Sequence, residues 1–116
     1  MIYHALDEKN HREIAIKVWK AGSETEIFSH DNSPFLREER ISGVVKIYDY
    51  FEKAGMNFLV MEYLPGGTLK QKLEMLRKQS SQRQLLELFR PVLEGLAFLH
   101  SEGLVHCDLS PDNLMF

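Results

Sequence analysis

The hydrophobic pattern changes period once, near Leu64, and that change limits the fold more than any other feature of the chain. Upstream, apolar residues alternate with a period of two. Residues 12–19 set Ile14, Ile16 and Val18 on one face and Ala15, Lys17 and Trp19 on the other, the pattern of a half-buried strand. Residues 2–6 are short and apolar-rich, and residues 7–11 form a polar turn, so the two runs read as an antiparallel hairpin. Residues 44–51 and 58–62 make a second strand pair across a turn at 52–55. Between the pairs lies a polar connection, 21–32, followed by a short helix. Ser33 caps that helix, Pro34 takes its first position, and Ser42-Gly43 ends it after barely two turns. Downstream of Leu64 the period becomes helical. Pro65-Gly66-Gly67 breaks the chain, and Thr68 caps a helix from 69 to about 77. Ser80-Ser81 precede a long amphipathic segment with Leu85, Phe89, Val92, Leu96 and Leu99 on one stripe. Pro91 falls inside it and predicts a kink or a late helix start, and Gly103 ends it. Residues 104–113 read as a loop, and 114–116 as the beginning of another strand.

Composition narrows the classes of function. A length of 116 residues holds one ordinary domain, and 44% hydrophobic with 27% charged residues is a soluble globular composition. Fourteen Lys+Arg against seventeen Asp+Glu leave a net charge of −3, which argues against a nucleic-acid or membrane-surface partner. Cys107 is the sole cysteine; no intramolecular disulfide forms, and a cytoplasmic location is the simplest expectation. No apolar run reaches the ~18–20 residues of a membrane span, and the N-terminus lacks a signal pattern. The five histidines make no H-E-x-x-H pair.

Three constellations carry chemistry. Lys17 sits in Ile14-Ala15-Ile16-Lys17, on a strand otherwise suited to burial. It asks for an anionic partner, carboxylate or phosphate, unless it is an edge-strand lysine guarding against aggregation. The run from Phe58 through Met61-Glu62-Tyr63-Leu64 to Pro65-Gly66-Gly67 takes an apolar strand into a Gly-rich linker. Such a linker can offer backbone N–H and C=O groups to a flat heteroaromatic ligand, or be an ordinary strand-to-helix connection. His106-Cys107-Asp108 with Asn113 five residues beyond Asp108 supplies a carboxylate that can accept a hydroxyl proton and an amide oxygen that can ligate Mg²⁺. The alternative is an Asp/Asn turn with Asx-type hydrogen bonds.

In order, these motifs resemble the signature set of the protein kinase catalytic domain. The loop His-Cys-Asp-Leu-Ser-Pro-Asp-Asn is most similar to the H-R-D-[LI]-[KS]-P-[DE]-N form of Ser/Thr-type kinases, bacterial ones included. The resemblance implies an α+β, partial protein-kinase-like fold. Residues 1–63 would be an incomplete N-lobe of antiparallel sheet with one short helix. Residues 64–116 would be the hinge, two helices and catalytic loop of a helical C-lobe.

It also implies roles. Lys17 would hold the α- and β-phosphates of ATP and pair with Glu38, or with Glu39 as second choice. Ala15 would lie over the adenine, and Met61 would be the gatekeeper. The Glu62 carbonyl and the Leu64 backbone would meet the adenine edge. Thr68 falls where many kinases place an acidic ribose contact. Asp108 would take the proton of a protein Ser/Thr hydroxyl, Asn113 would bind Mg²⁺, and His106 would pack beneath the loop. No G-x-G-x-x-G precedes Lys17, no D-F-G follows Asn113, and Cys107 stands in place of the usual arginine. The resemblance is therefore to a domain truncated at both ends, whose own activity is a separate question. A pseudokinase-like binding remnant and a small-molecule kinase of the aminoglycoside or choline type are the competing readings. The apolar stripe on the long helix predicts self-association or a partner that covers it.

Overall fold

The structure is a computed structural model and describes residues 1–22, 40–77, 81–104 and 109–116. The chain forms two compact units. One comprises Met1–Arg40 and Val45–Tyr63, the other Ile41–Val44 and Leu64–Phe116.

Alternating residues in the first unit form four antiparallel strands, β1 (Ile2–Asp7), β2 (Arg12–Lys20), β3 (Ile47–Lys53) and β4 (Met56–Glu62), ordered β1-β2-β4-β3. The β1–β2 turn is organised by Asp7, whose carboxylate accepts hydrogen bonds from Asn10 N (3.2 Å), Asn10 Nδ2 (2.8 Å) and Arg12 Nε (3.2 Å). Arg12 also lies over the Tyr48 ring, 3.5 Å from its centroid. The β3–β4 turn is tighter than the sequence suggests. Lys53 pairs with Met56, so only Ala54 and Gly55 form the loop, both at positive φ (53° and 73°). That is the two-residue geometry favoured by strand twist, and it carries Glu52 and Lys53 into the strand. β3 begins at Ile47 rather than at 44, since Val44 belongs to the other unit, and a register shift interrupts its pairing between Ile47 and Asp49. Ile14, Ile47 and Leu59 supply the buried apolar side chains of this unit. The short helix expected from Ser33 lies outside the described residues.

The second unit contains α1 (Leu69–Leu76) and α2 (Gln82–Ser101). Both begin with a capping box: Thr68 with Gln71, and Ser81 with Gln84. α2 runs unbroken through Pro91, so the late start considered for it does not occur; the Ser81 cap sets the beginning nine residues upstream. Gly103, at φ 75°, follows the end of the helix as expected. The segment Ile41–Val44 lies against α2 so closely that a Cβ on Gly95 would overlap the Gly43 carbonyl, and one on Gly43 the Pro91 carbonyl. Ser42 Oγ bonds Glu94 beside this contact.

The expected stripe is the more buried face of α2. Gly95 is buried, and Leu85, Val92, Leu96 and Leu99 are half-buried. The apolar side chains left in solvent are Leu86 (66% exposed), Leu93 (65%) and, at the margin, Phe89. Of the five stripe residues only Phe89 is exposed, so the apolar surface open to a partner is carried mainly by Leu86 and Leu93. Residues 114–116 form no strand. Met115 makes an isolated bridge to Thr68, and the rest of the segment attaches to the start of α1. Among the described residues no helix is long and apolar enough to cross a membrane.

Candidate functional site

Cross-strand register settles which of the expected residues share a surface. Ala15 lies directly opposite Met61 on β4 and His4 on β1, and Lys17 lies opposite Leu59 and Ile2. Directly opposed residues share a face, as do residues two apart on one strand. Ala15, Lys17 and Met61 therefore occupy one face, with small, cationic and apolar groups side by side. Lys17 is exposed, with its ammonium 6.0 Å from the Trp19 ring centroid. Ile2, exposed and in register with Lys17, adds an apolar side chain that the sequence reading did not single out. Its signal was available in the hairpin register, which an alternation count alone does not fix.

Glu62 behaves differently. It pairs with Ile14, so its side chain belongs to the opposite face. There Oε1 accepts from Lys46 N (2.9 Å) and Oε2 from Arg40 Nη1 (2.6 Å), while Glu62 N donates to Lys46 O (2.9 Å). The carboxylate is only 10% exposed. Its side chain thus anchors the end of β4 to the strand entry at Lys46, and only its backbone is left for the role expected of it. Sequence reasoning missed this anchor, because no local pattern connects Glu62 with Lys46.

In the second unit Leu64 opens the linker. Among the described residues neither its N–H nor its C=O makes a backbone hydrogen bond. Thr68 Oγ1 accepts from Gln71 N (3.2 Å) as the helix cap, and its hydroxyl hydrogen remains able to donate. Residues 109–116 dock on the same helix start. Leu69 N donates to Leu114 O (2.7 Å) and Lys70 N to Pro111 O (3.1 Å), which satisfies amides that a helix leaves without internal partners. Gly66 N and Phe116 O (2.5 Å), then Phe116 N and Gly67 O (3.0 Å), complete the attachment. Asn113 closes a turn by donating from N to Ser110 O (3.0 Å), next to Leu114. Thr68 and Asn113 are thereby held in one cluster. Met115, exposed and bridged to Thr68, is a second apolar residue beside the expected site. Lys70 and Asp112 pair at 3.7 Å in solvent, a weak interaction. Glu38, Glu39, His106, Cys107 and Asp108 lie outside the described residues. A groove of about 1020 Å³ beside α1, lined by Gly67, Lys72, Met75, Leu76 and Leu88 among others, includes none of the expected site residues.

A four-stranded antiparallel sheet with Ala15, Lys17 and Met61 on one face, followed by two helices, is the arrangement of a partial kinase fold. Residues 1–116 match the protein kinase domain, and the chain belongs to that family. It is 34% identical over 124 residues to the probable serine/threonine-protein kinase pknA2 of Bifidobacterium longum, covering 98% of this chain and 16% of that protein. It is 34% identical over 123 residues to the serine/threonine-protein kinase PknL of Mycobacterium tuberculosis, covering 98% and 29%. Calcium/calmodulin-dependent protein kinase type 1 of Caenorhabditis elegans is 33% identical over 81 residues, covering 70% and 23%. The chain spans well under half the length of these relatives. By family it is a Ser/Thr protein kinase sequence, and ATP and Mg²⁺ are the family's general cofactors.

Proposed function

We propose that the chain binds Mg-ATP and takes part in transfer of the γ-phosphoryl group to a Ser or Thr hydroxyl of a protein. The observation that carries this reading is the shared face of Ala15, Lys17 and Met61. The donor set suits the ligand. Ala15, Ile2 and Met61 give a small and apolar surface for a flat purine, and Lys17 gives a cation for phosphate oxygens. The Asn113 amide oxygen is a hard donor of the kind Mg²⁺ accepts. When bound, the metal would neutralise charge that develops on the phosphates.

The residues divide the work as follows. The backbones of Glu62 and Leu64 orient the adenine edge, and Lys17 fixes the phosphate chain with Glu38 as its carboxylate partner. Asp108 orients the acceptor hydroxyl and takes its proton as the hydroxyl oxygen bonds the γ-phosphorus and the bond to the β-phosphate oxygen breaks. Positioning and charge stabilisation supply most of the rate in such a site. Autophosphorylation or transfer to a Ser/Thr peptide with Mg-ATP, abolished in Asp108→Ala, is the expected result. Calorimetric ATP binding without transfer would replace this reading with that of a nucleotide-binding module. Transfer to an aminoglycoside or choline but not to peptide would shift the acceptor class.

A further inference from the structure

The cluster that the nucleotide reading does not use lies at the end of β4. β1 and β4 are not neighbours, since β2 separates them in the sheet. Yet the His4 ring of β1 stacks on the Tyr63 ring just past β4, with centroids 3.7 Å apart and planes within 9°. His4 Nε2 also lies 3.1 Å from Glu13 Oε1 on β2. The three side chains come from three consecutive strands of the sheet or their ends, and register sets them beside Ala15. His4 is directly opposite Ala15, and Glu13 is two residues before it. The stack therefore straddles β2 on the face that carries Ala15 and Lys17.

Tyr63 is also the residue between the two backbone groups given to the adenine edge, the Glu62 carbonyl and the Leu64 amide. Glu62 is anchored on its other side by Lys46 and Arg40, whereas Leu64 makes no backbone hydrogen bond among the described residues. Tyr63 is the last residue through which the sheet can restrain the Leu64 amide. A ring held face to face against a second ring loses its rotamer freedom, and with it the φ/ψ freedom coupled to that rotamer.

We propose that His4 is a positioning residue: by stacking on Tyr63, with its ring oriented by Glu13, it fixes the backbone that presents Glu62 O and Leu64 N to a purine. The role rests on the nucleotide reading and goes beyond it, because it assigns adenine affinity in part to a side chain that touches no ligand. An aromatic ring is the requirement, and the Glu13 contact sets its orientation.

The test uses the full chain and three variants, His4→Ala, His4→Phe and Tyr63→Leu. His4 is exposed, so its replacement leaves the core untouched. In wild type the His4 ring protons resonate upfield through the Tyr63 ring current, and Tyr63→Leu removes that shift. The order parameter of the Leu64 amide without nucleotide, from nitrogen relaxation, is lower in His4→Ala than in wild type, and His4→Phe restores it. Binding of a non-hydrolysable ATP analogue weakens about 2- to 10-fold in His4→Ala and stays within about twofold of wild type in His4→Phe. Wild type that binds no analogue overturns the nucleotide reading, and the Leu64 order parameters then decide the positioning role alone. An unchanged order parameter and unchanged affinity in His4→Ala, in a wild type that binds, overturn the positioning role and leave the nucleotide reading standing.

Discussion

Lys17 shows how a side chain's surroundings follow from its neighbours in register. The same ammonium on an isolated strand would be a solvated edge charge; opposite Leu59 and two residues from Ala15 it borders a surface a purine can cover. Removing the charge in Lys17→Met is expected to lower kcat/KM for peptide phosphorylation by about 10- to 150-fold, the worth of hydrogen bonds to a charged group. Steady-state kinetics check this. Asp7 is a structural counterpart. Hydrogen bonding from the Asn10 side chain, with smaller help from Arg12, holds its carboxyl below the usual carboxylate range. A depressed folded value means that its contribution is present in full above the ordinary carboxylate pKa and is lost as the pH falls through the folded one. Acid unfolding followed by circular dichroism should therefore lose part of its slope in that acidic window in Asp7→Asn. Ala54 is a residue under strain, since a Cβ at φ 53° costs about 1–2 kcal/mol. Ala54→Gly is expected to raise the denaturation midpoint, offset in part by the extra freedom of glycine in the unfolded chain.

Elements explain why some of these positions could be read in advance and others could not. The strands, both capping residues and the face shared by Ala15, Lys17 and Trp19 follow from local patterns, because alternation and Ser/Thr caps are encoded within a few residues. The tight Ala54-Gly55 turn, the unbroken passage of α2 through Pro91 and the true exposed edge of α2 depend on partners far away in sequence. Gly43 against Gly95 is the clearest case, with two glycines 52 positions apart that let the 41–44 segment pack on a 20-residue helix. Gly95→Ala would drive a methyl into the Gly43 carbonyl and is expected to destabilise the protein by about 1–3 kcal/mol in urea melts. The edge that this contact leaves outside carries Leu86 and Leu93, two turns apart. If that edge drives self-association, Leu86→Lys with Leu93→Lys sediments as a smaller species than wild type.

For the molecule as a whole, the family and the order of elements were legible because three short motifs follow one another along the chain in the order the family has them, and the hydrophobic period changes once between the strands and the helices. The candidate site was legible in its residue types but not in its restraints. Nothing near Glu62 in the sequence points to Lys46 and Arg40, and nothing near Tyr63 points to His4. A ligand that binds only the folded chain stabilises it by mass action, so Mg-ATP at a hundredfold over its Kd is expected to add about 2.7 kcal/mol to unfolding. The restraint on Asn113 has a consequence for heating. Leu69 and Lys70 have their amides bound to Leu114 and Pro111, so α1 cannot fray at its beginning without letting go of that turn. Loss of the first helical turn and release of the 110–113 turn should then be a single calorimetric event; under the proposed function, the temperature at which the helix end melts becomes the ceiling for Mg-ATP binding and phosphoryl transfer.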